Sequence, residues 1–443
     1  MKLALLSNVT IEVLAGMLKR EHELWLPSGY GAWMEIALNP PAELREFDPE
    51  VFYLILDGHF EQIIGDADVA RQALARAFPS AAVCVLDVAH FADDFGAEFY
   101  DERMWKLGKM PWSMLGLREL KKVFSFKKVL ALDLDNTLWD GIVGEDGREG
   151  ITLRSNMLAE IAALKQRGIL LTIISKNNPE DVKWFFEKDD PFVVKSINWK
   201  VKGENLTQQA QMLNLGTDAF VFVDDNPAER AEMRSLHPEV LVADFPPQLS
   251  AFFPKRIVSA EDEDKTDQYQ AEFMRKEFAM GLSLEEYLKG LEIRTYIHPI
   301  TDDEILRVAQ LSQKTNQFNV CTNRYSEADI RHFAADSECL LMTLHASDRF
   351  GDQGLVAFVL CRIAGARAEI VDWVMSCRAM NRKIEFSMQA AVEANLKSRG
   401  VKELTATWVR TNKNAPVKDL FERFGFDIIS ISDEKKLYKR VWE

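Results

Sequence analysis

The sequence predicts an α/β protein: a doubly wound parallel sheet, flanked by a small N-terminal α/β unit and a C-terminal α+β domain. Three observations carry this. Strand and helix patterns alternate regularly over residues 125–260, as expected when helices cover both faces of a parallel sheet. The apolar run Val129–Leu132 leads straight into Asp133-Leu134-Asp135-Asn136-Thr137, so acids fall at the carboxyl edge of a strand, where open α/β sheets bind ligands. Residues 293–443 run strand, helix, several antiparallel strands, helix, strand, helix and two closing strands, an α+β order.

The 443 residues exceed what one core usually serves and suggest two or three domains. An apolar fraction of 47% is ample for globular folding. The net charge of −15 argues against a nucleic-acid binder, because phosphate backbones call for a basic surface. The apolar start Met1-Lys2-Leu3-Ala4-Leu5-Leu6 is too short for a signal-peptide core, and no stretch approaches a membrane span. Cysteines 84, 321, 339, 361 and 377 are scattered without metal-ligand spacing, so reduced thiols and a cytoplasmic location are expected.

The predicted domains are 1–124, 125–260, a charge-rich helical linker at 261–292, and 293–443. In the first, 3–6, 51–56 and 83–88 read as buried strands, with helices at 11–20 and 69–78. Ser7-Asn8, after the first strand, reads as a turn or cap before it reads as a nucleophile. In the second, strands fall at 129–134, 169–175, 192–197, 220–224 and 240–243, with helices at 157–167, 179–188, 205–213 and 228–236. Gly168 and Gly216 sit where helices close.

Strand alternation would aim Asp133 and Asp135 to one side. Neighbouring carboxylates repel unless a cation lies between them, which implies a hard divalent metal. One carboxylate can then attack phosphorus while the other moves a proton. Companion residues follow in order, each at the edge of a predicted element. Ser175-Lys176-Asn177-Asn178 ends a strand and offers donors for phosphate oxygens. Lys202 opens a helix, where an ammonium and free amides favour a phosphoryl group. Asp224-Asp225-Asn226 ends another strand and adds metal-binding carboxylate. Gly141, Gly144, Gly147 and Gly150 lie in the short stretch after Thr137, room for a hairpin flap but not for a cap domain.

This constellation resembles the haloacid dehalogenase (HAD) superfamily of phosphotransferases. The resemblance implies Asp133 as nucleophile, Asp135 as acid and base, and Lys202 as charge stabiliser. Ser175, Lys176, Asn177 and Thr137 would bind substrate, and Asp133, Asp135, Asp224 and Asp225 would hold Mg2+. Register favours Asp225 over Asp224 as the metal contact. The run from Leu132 to Gly141, continuing through Gly144-Glu145-Asp146-Gly147, is similar to FkbH-like proteins, a branch of that superfamily tied to polyketide and polysaccharide assembly. So are Ser175-Lys176-Asn177-Asn178, Asn198-Trp199-Lys200-Val201-Lys202, Phe222 to Arg230, Leu311 to Asn319, Asp348 to Asp352, and Ser376-Cys377-Arg378. The N-terminal unit looks like a shortened SGNH-hydrolase-type domain, and the C-terminal part is similar to GNAT acyltransferases. What the family implies is removal of phosphate from 1,3-bisphosphoglycerate and loading of the glyceryl group on an acyl carrier protein as a thioester.

A thioester route needs a thiol. Cys377 is the relay candidate, its thiolate favoured by a helix N-terminus and by Arg378 and Arg382; a packing cysteine is the equal alternative. Cys84, Cys339 and Cys361 read as core, and Cys321 as exposed in a polar loop. His345 and Asp348 could serve a thiol as base and orienter, although a histidine at such an edge is more often structural. In Arg378-Ala379-Met380-Asn381-Arg382-Lys383, Asn381 stands where a phosphate-binding loop would carry glycine. Lys121, Lys122, Lys127 and Lys128 read as a solvated run before they read as a docking patch. Two further functions stay open: a plain phosphatase acting on a sugar or protein phosphate, and a non-catalytic scaffold.

Overall fold

The computed structural model describes residues 1–187, 190–254 and 265–442. The chain forms two compact units, Met1–Gln270 and Ala271–Glu443. It is a mixed α/β protein with parallel sheets.

Among the described residues the first unit contains two larger sheets and a two-stranded hairpin. Strands β1 (Lys2–Ser7), β2 (Glu23–Trp25), β3 (Val51–Leu56) and β4 (Ala82–Asp87) form one, in the order β2-β1-β3-β4, all parallel. Strand β5 (Val129–Leu132) is followed by a two-stranded hairpin of β6 (Trp139–Asp140) and β7 (Thr152–Leu153). Then come β8 (Leu170–Ser175), β9 (Phe192–Ile197), β10 (Phe220–Val223) and β11 (Leu241–Val242). The second sheet has the order β11-β10-β5-β8-β9 and is parallel throughout. Its central strand β5 buries Leu130 and Leu132 in one apolar layer and Val129 and Ala131 in the other. A strand covered on both faces reads as a continuous apolar run, as this one does.

The predicted boundary at 124 does not separate two cores. The apolar cluster containing Leu130 and Leu132 continues through Leu3, Leu5, Tyr53 and Phe124. Tyr53 packs edge-on against Phe124 at 4.7 Å, and Phe91 meets Phe252 at 6.2 Å. The linker predicted at 261–292 lies partly outside the described residues. Its remainder is the helix Lys265–Ala279, within which the two units divide, and a second helix, Leu284–Leu291, capped by Ser283 and Glu286.

The second unit is a seven-stranded sheet: β12 (Arg294–Pro299), β13 (Cys339–Asp348), β14 (Gly351–Ala364), β15 (Arg367–Met375), β16 (Glu403–Val409), β17 (Asp427–Ile431) and β18 (Lys435–Val441). The order is β12-β13-β14-β15-β16-β18-β17, antiparallel except between β15 and β16. That parallel pair is joined by the helix Ile384–Ser398, as parallel neighbours require a crossover. It pairs only from Arg367 to Ile370 and Glu403 to Ala406. Beyond that point the buried residues Phe318, Asn319 and Val320 fill the gap. Val320 N donates to Trp373 O (3.2 Å), Met375 N to Phe318 O (3.0 Å) and Val409 N to Val320 O (2.9 Å). Among the described residues no helix is long and apolar enough to cross a membrane.

Candidate active site

Four chain segments converge at the carboxyl edge of the second sheet. Strand β5 ends at Leu132, and Asp133 N donates to Val223 O at 3.0 Å, which ties the first acid to the end of β10. The helix Lys202–Leu213 presents Lys202 from its first turn. That helix packs closely on Pro227–Leu236 because residue 203 is glycine: a Cβ there would lie 2.7 Å from Leu236 Cδ1. Lys202 Nζ stands 2.6 Å from Asp224 Oδ2 and 3.1 Å from Asp133 Oδ1.

Asp133, Asp224 and Asp225 bring carboxylate oxygens within 4.8 Å of one another. Three carboxylates facing one ammonium leave two uncompensated negative charges when all are ionised. Burial, opposed by Lys202 and aided by Asp224, pushes Asp133 up to about 6. Burial also raises Asp224 against the pull of Lys202, and burial and Asp133 together raise Asp225. Burial works against the Lys202 ammonium, but Asp133 and Asp224 outweigh it and hold its pKa above the ordinary lysine value. Asp133 Oδ1 accepts no well-aligned hydrogen bond. The group can hold a metal ion, and a donor set of carboxylate oxygens alone suits a hard cation of the magnesium or calcium kind.

Asp135 is not part of this group. Strand geometry stops at Leu132, so the expected alternation does not extend to it. Asn136 adopts a left-handed φ of 52° and Gly141 one of 104°, and the chain turns back on itself. Asp135 Oδ1 accepts from Trp139 Nε1 (2.8 Å) and Val143 N (2.9 Å), and Oδ2 from Asn177 Nδ2 (2.8 Å). The expected flap is present as the hairpin β6–β7, and the helix Val143–Gly150 lies between its strands.

The residues expected to bind substrate divide. Ser175 and Asn177 lie together at the end of β8, with Asn177 Nδ2 3.2 Å from Ser175 Oγ, and both are buried. Thr137 is fully buried and bonds to Asp225 through its hydroxyl, which accepts from Asp225 N at 3.2 Å. Lys176 pairs with Glu229 at 2.6 Å.

Arg230 was not singled out by the sequence as a site residue. Its Nη1 donates to the carbonyls of Asp224 (2.8 Å) and Asp225 (2.7 Å), while Asp94 holds its other side at 2.5 Å. Arg230 closes the conspicuous run beginning at Asp224, a signal that could have drawn notice. Asp94 carries no such signal.

Elsewhere in this unit Ser7 serves a turn. Its Oγ donates to Ile55 O (2.6 Å) and accepts from Val9 N (3.1 Å). The lysine run is neither a patch nor uniformly solvated. Lys121 pairs with Glu21, Lys122 with Glu119, and buried Lys127 donates to Asp218 O at 2.7 Å.

In the second unit Cys377 is exposed, in a short 3-10 turn after β15. The helix that follows runs from Ile384 to Ser398, its start seven residues beyond Cys377. Arg382 is buried and committed to Gln353 (2.5 Å) and Glu272 (2.8 Å). Arg378 lies in the same turn as Cys377. Asn381 and Lys383 take left-handed φ values of 64° and 59°, so asparagine supplies the conformation for which glycine was expected. Asp348 forms a two-pronged pair with Arg275, at 2.7 and 2.9 Å, and does not orient His345, which contacts Glu304. Cys84, Cys339 and Cys361 are buried as expected. Cys321 is half-buried rather than exposed, its Sγ 3.4 Å from Thr407 O.

No family model matches the chain, and no curated protein does. Among solved structures it is similar to the N-terminal part of BF1531 from Bacteroides fragilis, containing a phosphatase domain complexed with Mg. The identity is 22% over 61% of this chain and 92% of that one, with a TM-score of 0.31. It is also similar to the ribosomal-protein-S18-alanine N-acetyltransferase from Escherichia coli (13% identity, 33% and 94% covered, TM-score 0.27). A third likeness is to the PaiA N-acetyltransferase from Thermoplasma acidophilum in complex with coenzyme A (16%, 34% and 99%, TM-score 0.25). Likenesses of this size carry no weight for function.

Proposed function

We propose that the first unit is a magnesium-dependent phosphotransferase of the HAD type, covering residues 125–260 with the 1–124 segment packed against it. The carrying observation is the buried Lys202 bridging Asp133 and Asp224, with Asp225 completing the carboxylate group. Asp133, Asp224 and Asp225 would hold Mg2+, which when bound neutralises carboxylate and phosphate charge so that an anion can approach. Asp133 is the nucleophile: its carboxylate oxygen forms a bond to phosphorus as the bond from phosphorus to the leaving oxygen breaks. Water then releases phosphate and returns the free carboxylate. Lys202 compensates the charge on the transferring group, and Ser175 and Asn177 donate to its oxygens. Asp135 supplies the proton to the leaving oxygen, and Asn177 and Trp139 orient its carboxyl group.

The resemblance to FkbH-like proteins extends this to an acyl phosphate substrate such as 1,3-bisphosphoglycerate. Asp133 would then act on the phosphate ester of that molecule. The Cys377 thiolate, beside Arg378 in a GNAT-like domain at 293–443, would attack the acyl carbon and expel the acyl phosphate's phosphate. The thiol of an acyl carrier protein would then take the acyl group and free Cys377. Intact mass spectrometry after incubation with magnesium and 1,3-bisphosphoglycerate tests it. A phosphoryl adduct lost in D133N and a glyceryl adduct lost in C377A support the whole reading. Phosphate release without any glyceryl adduct leaves a plain phosphatase. That second reading is favoured by the commitment of Arg382 to Gln353 and Glu272 and of His345 to Glu304, which leaves neither to activate the thiol.

A further inference from the structure

Besides the acid site, the described residues bring one more set of metal-ligating atoms together: His298, Glu304 and His345, all within 4.8 Å of one another. They lie in the second unit, on the edge strand β12, its neighbour β13 and the turn that follows β12. Tyr296 pairs with His345 and His298 with Thr343, so the two histidines are diagonal neighbours on one face of the sheet. Their rings stack at 5.5 Å, inclined by 19°. The 3-10 turn Asp302–Glu304 then carries Glu304 to them.

Two of the three side chains, Glu304 and His298, are held by partners on their far side. Glu304 Oε2 accepts from Thr301 N (3.0 Å) and Thr343 Oγ1 (3.1 Å), which leaves Oε1 to face both imidazoles. His298 Nε2 is 3.3 Å from that oxygen, and His345 Nε2 also contacts it. His298 Nδ1 lies 2.8 Å from the carbonyl of Pro299. A carbonyl only accepts, so Nδ1 carries a proton, and whenever the ring is neutral the lone pair of Nε2 faces Glu304. A lone pair and a carboxylate oxygen in contact require a proton or a cation between them.

Two imidazoles and a carboxylate are the donor set that suits zinc, and ligand atoms around a tetrahedral zinc ion stand about 3.4 Å apart. Orientation of the histidine and the carboxylate by Pro299, Thr301 and Thr343 is the supporting layer such ligands need. Glu304 is buried, whereas the His345 side chain is 35% exposed, so solvent reaches a fourth position. We propose that His298, Glu304 and His345 bind one zinc ion, with water completing the coordination.

The test uses the full chain, stripped with chelator and dialysed against zinc in excess magnesium, which occupies the acid site. One zinc per chain is expected, with affinity at least about tenfold weaker in H298A and in H345A and unchanged in D225N. Equal zinc binding by wild type, H298A and H345A overturns the proposal, as does zinc lost in D225N alone. Cobalt loaded into the wild-type chain gives a readout independent of how the variants fold. A visible band of a four-coordinate nitrogen- and oxygen-ligated ion is expected, and its absence overturns the assignment.

Discussion

Lys202 and Asp224 form a buried ion pair, Nζ to Oδ2 at 2.6 Å, with side chains 4% and 0% exposed. A pair this deep is costly to break from one side, because the remaining charge is stranded. Lys202→Met leaves three carboxylates facing one another, so a loss of roughly 3–5 kcal/mol is expected. Urea denaturation measures it, and magnesium should restore part of the loss.

Asp225→Asn removes one of the three hard donors. Magnesium affinity should fall at least about tenfold, measured by calorimetry, while circular dichroism stays unchanged. Equal affinity in the variant would show that the ion binds elsewhere.

Asp94 acts at a distance. It pairs with Arg230 at 2.5 Å and with Arg234 at 2.8 Å, and Arg230 in turn holds the Asp224 and Asp225 carbonyls. Asp94→Ala should cost about 3 kcal/mol of stability by stranding the buried Arg230 guanidinium. The turnover rate should drop more than the Michaelis constant changes, because the defect is in carboxylate placement.

Asp372 gives a pH signature in the second unit. Burial in β15 pushes its carboxyl up to about 6, although Trp373 N donates to it at 2.9 Å. With its folded value above the unfolded one, the native state holds the proton longer. The contribution of Asp372 to stability is therefore full below pH about 4 and is lost, roughly 2–3 kcal/mol in all, as pH rises through about 6. Urea midpoints of wild type against D372N check this, and the variant should lack the slope.

Thiol labelling should rank the cysteines. Cys377 is exposed, whereas burial pushes Cys84 and Cys321 up to about 12 and Cys361 higher still. Brief alkylation of the native chain should mark Cys377 alone, read by peptide mass spectrometry.

Much of the acid site was legible because a parallel sheet gathers strand ends at one edge. Asp133, Ser175 and Asp224 each end or follow an apolar run, and Lys202 opens a helix. Asp135 stands outside the carboxylate group that could hold a metal because strand pairing stops at Leu132 and its carboxylate is taken by Trp139, Val143 and Asn177. Lys127 looked like one of several solvated lysines, yet it is buried, its amine pushed down to about 8. The helix Glu327–Ala335 was missed although Ser326 and Asp329 spell its capping box. The Asp94–Arg230 link and the core shared across residue 124 leave no local trace, since both join segments remote along the chain.

The segment from Phe318 to Val320 turns a break in the second unit's sheet into a seam. Without it, strand pairing would fail beyond Ile370 and Ala406 and leave two flaps of sheet hinged at one end. Laced through Trp373, Met375 and Val409, with Asn414 Nδ2 fastening Asn319 O at 3.0 Å, the flaps become a single plate. Hydrogen exchange should therefore find Met375 and Val409 opening together, at one common free energy, rather than fraying in turn.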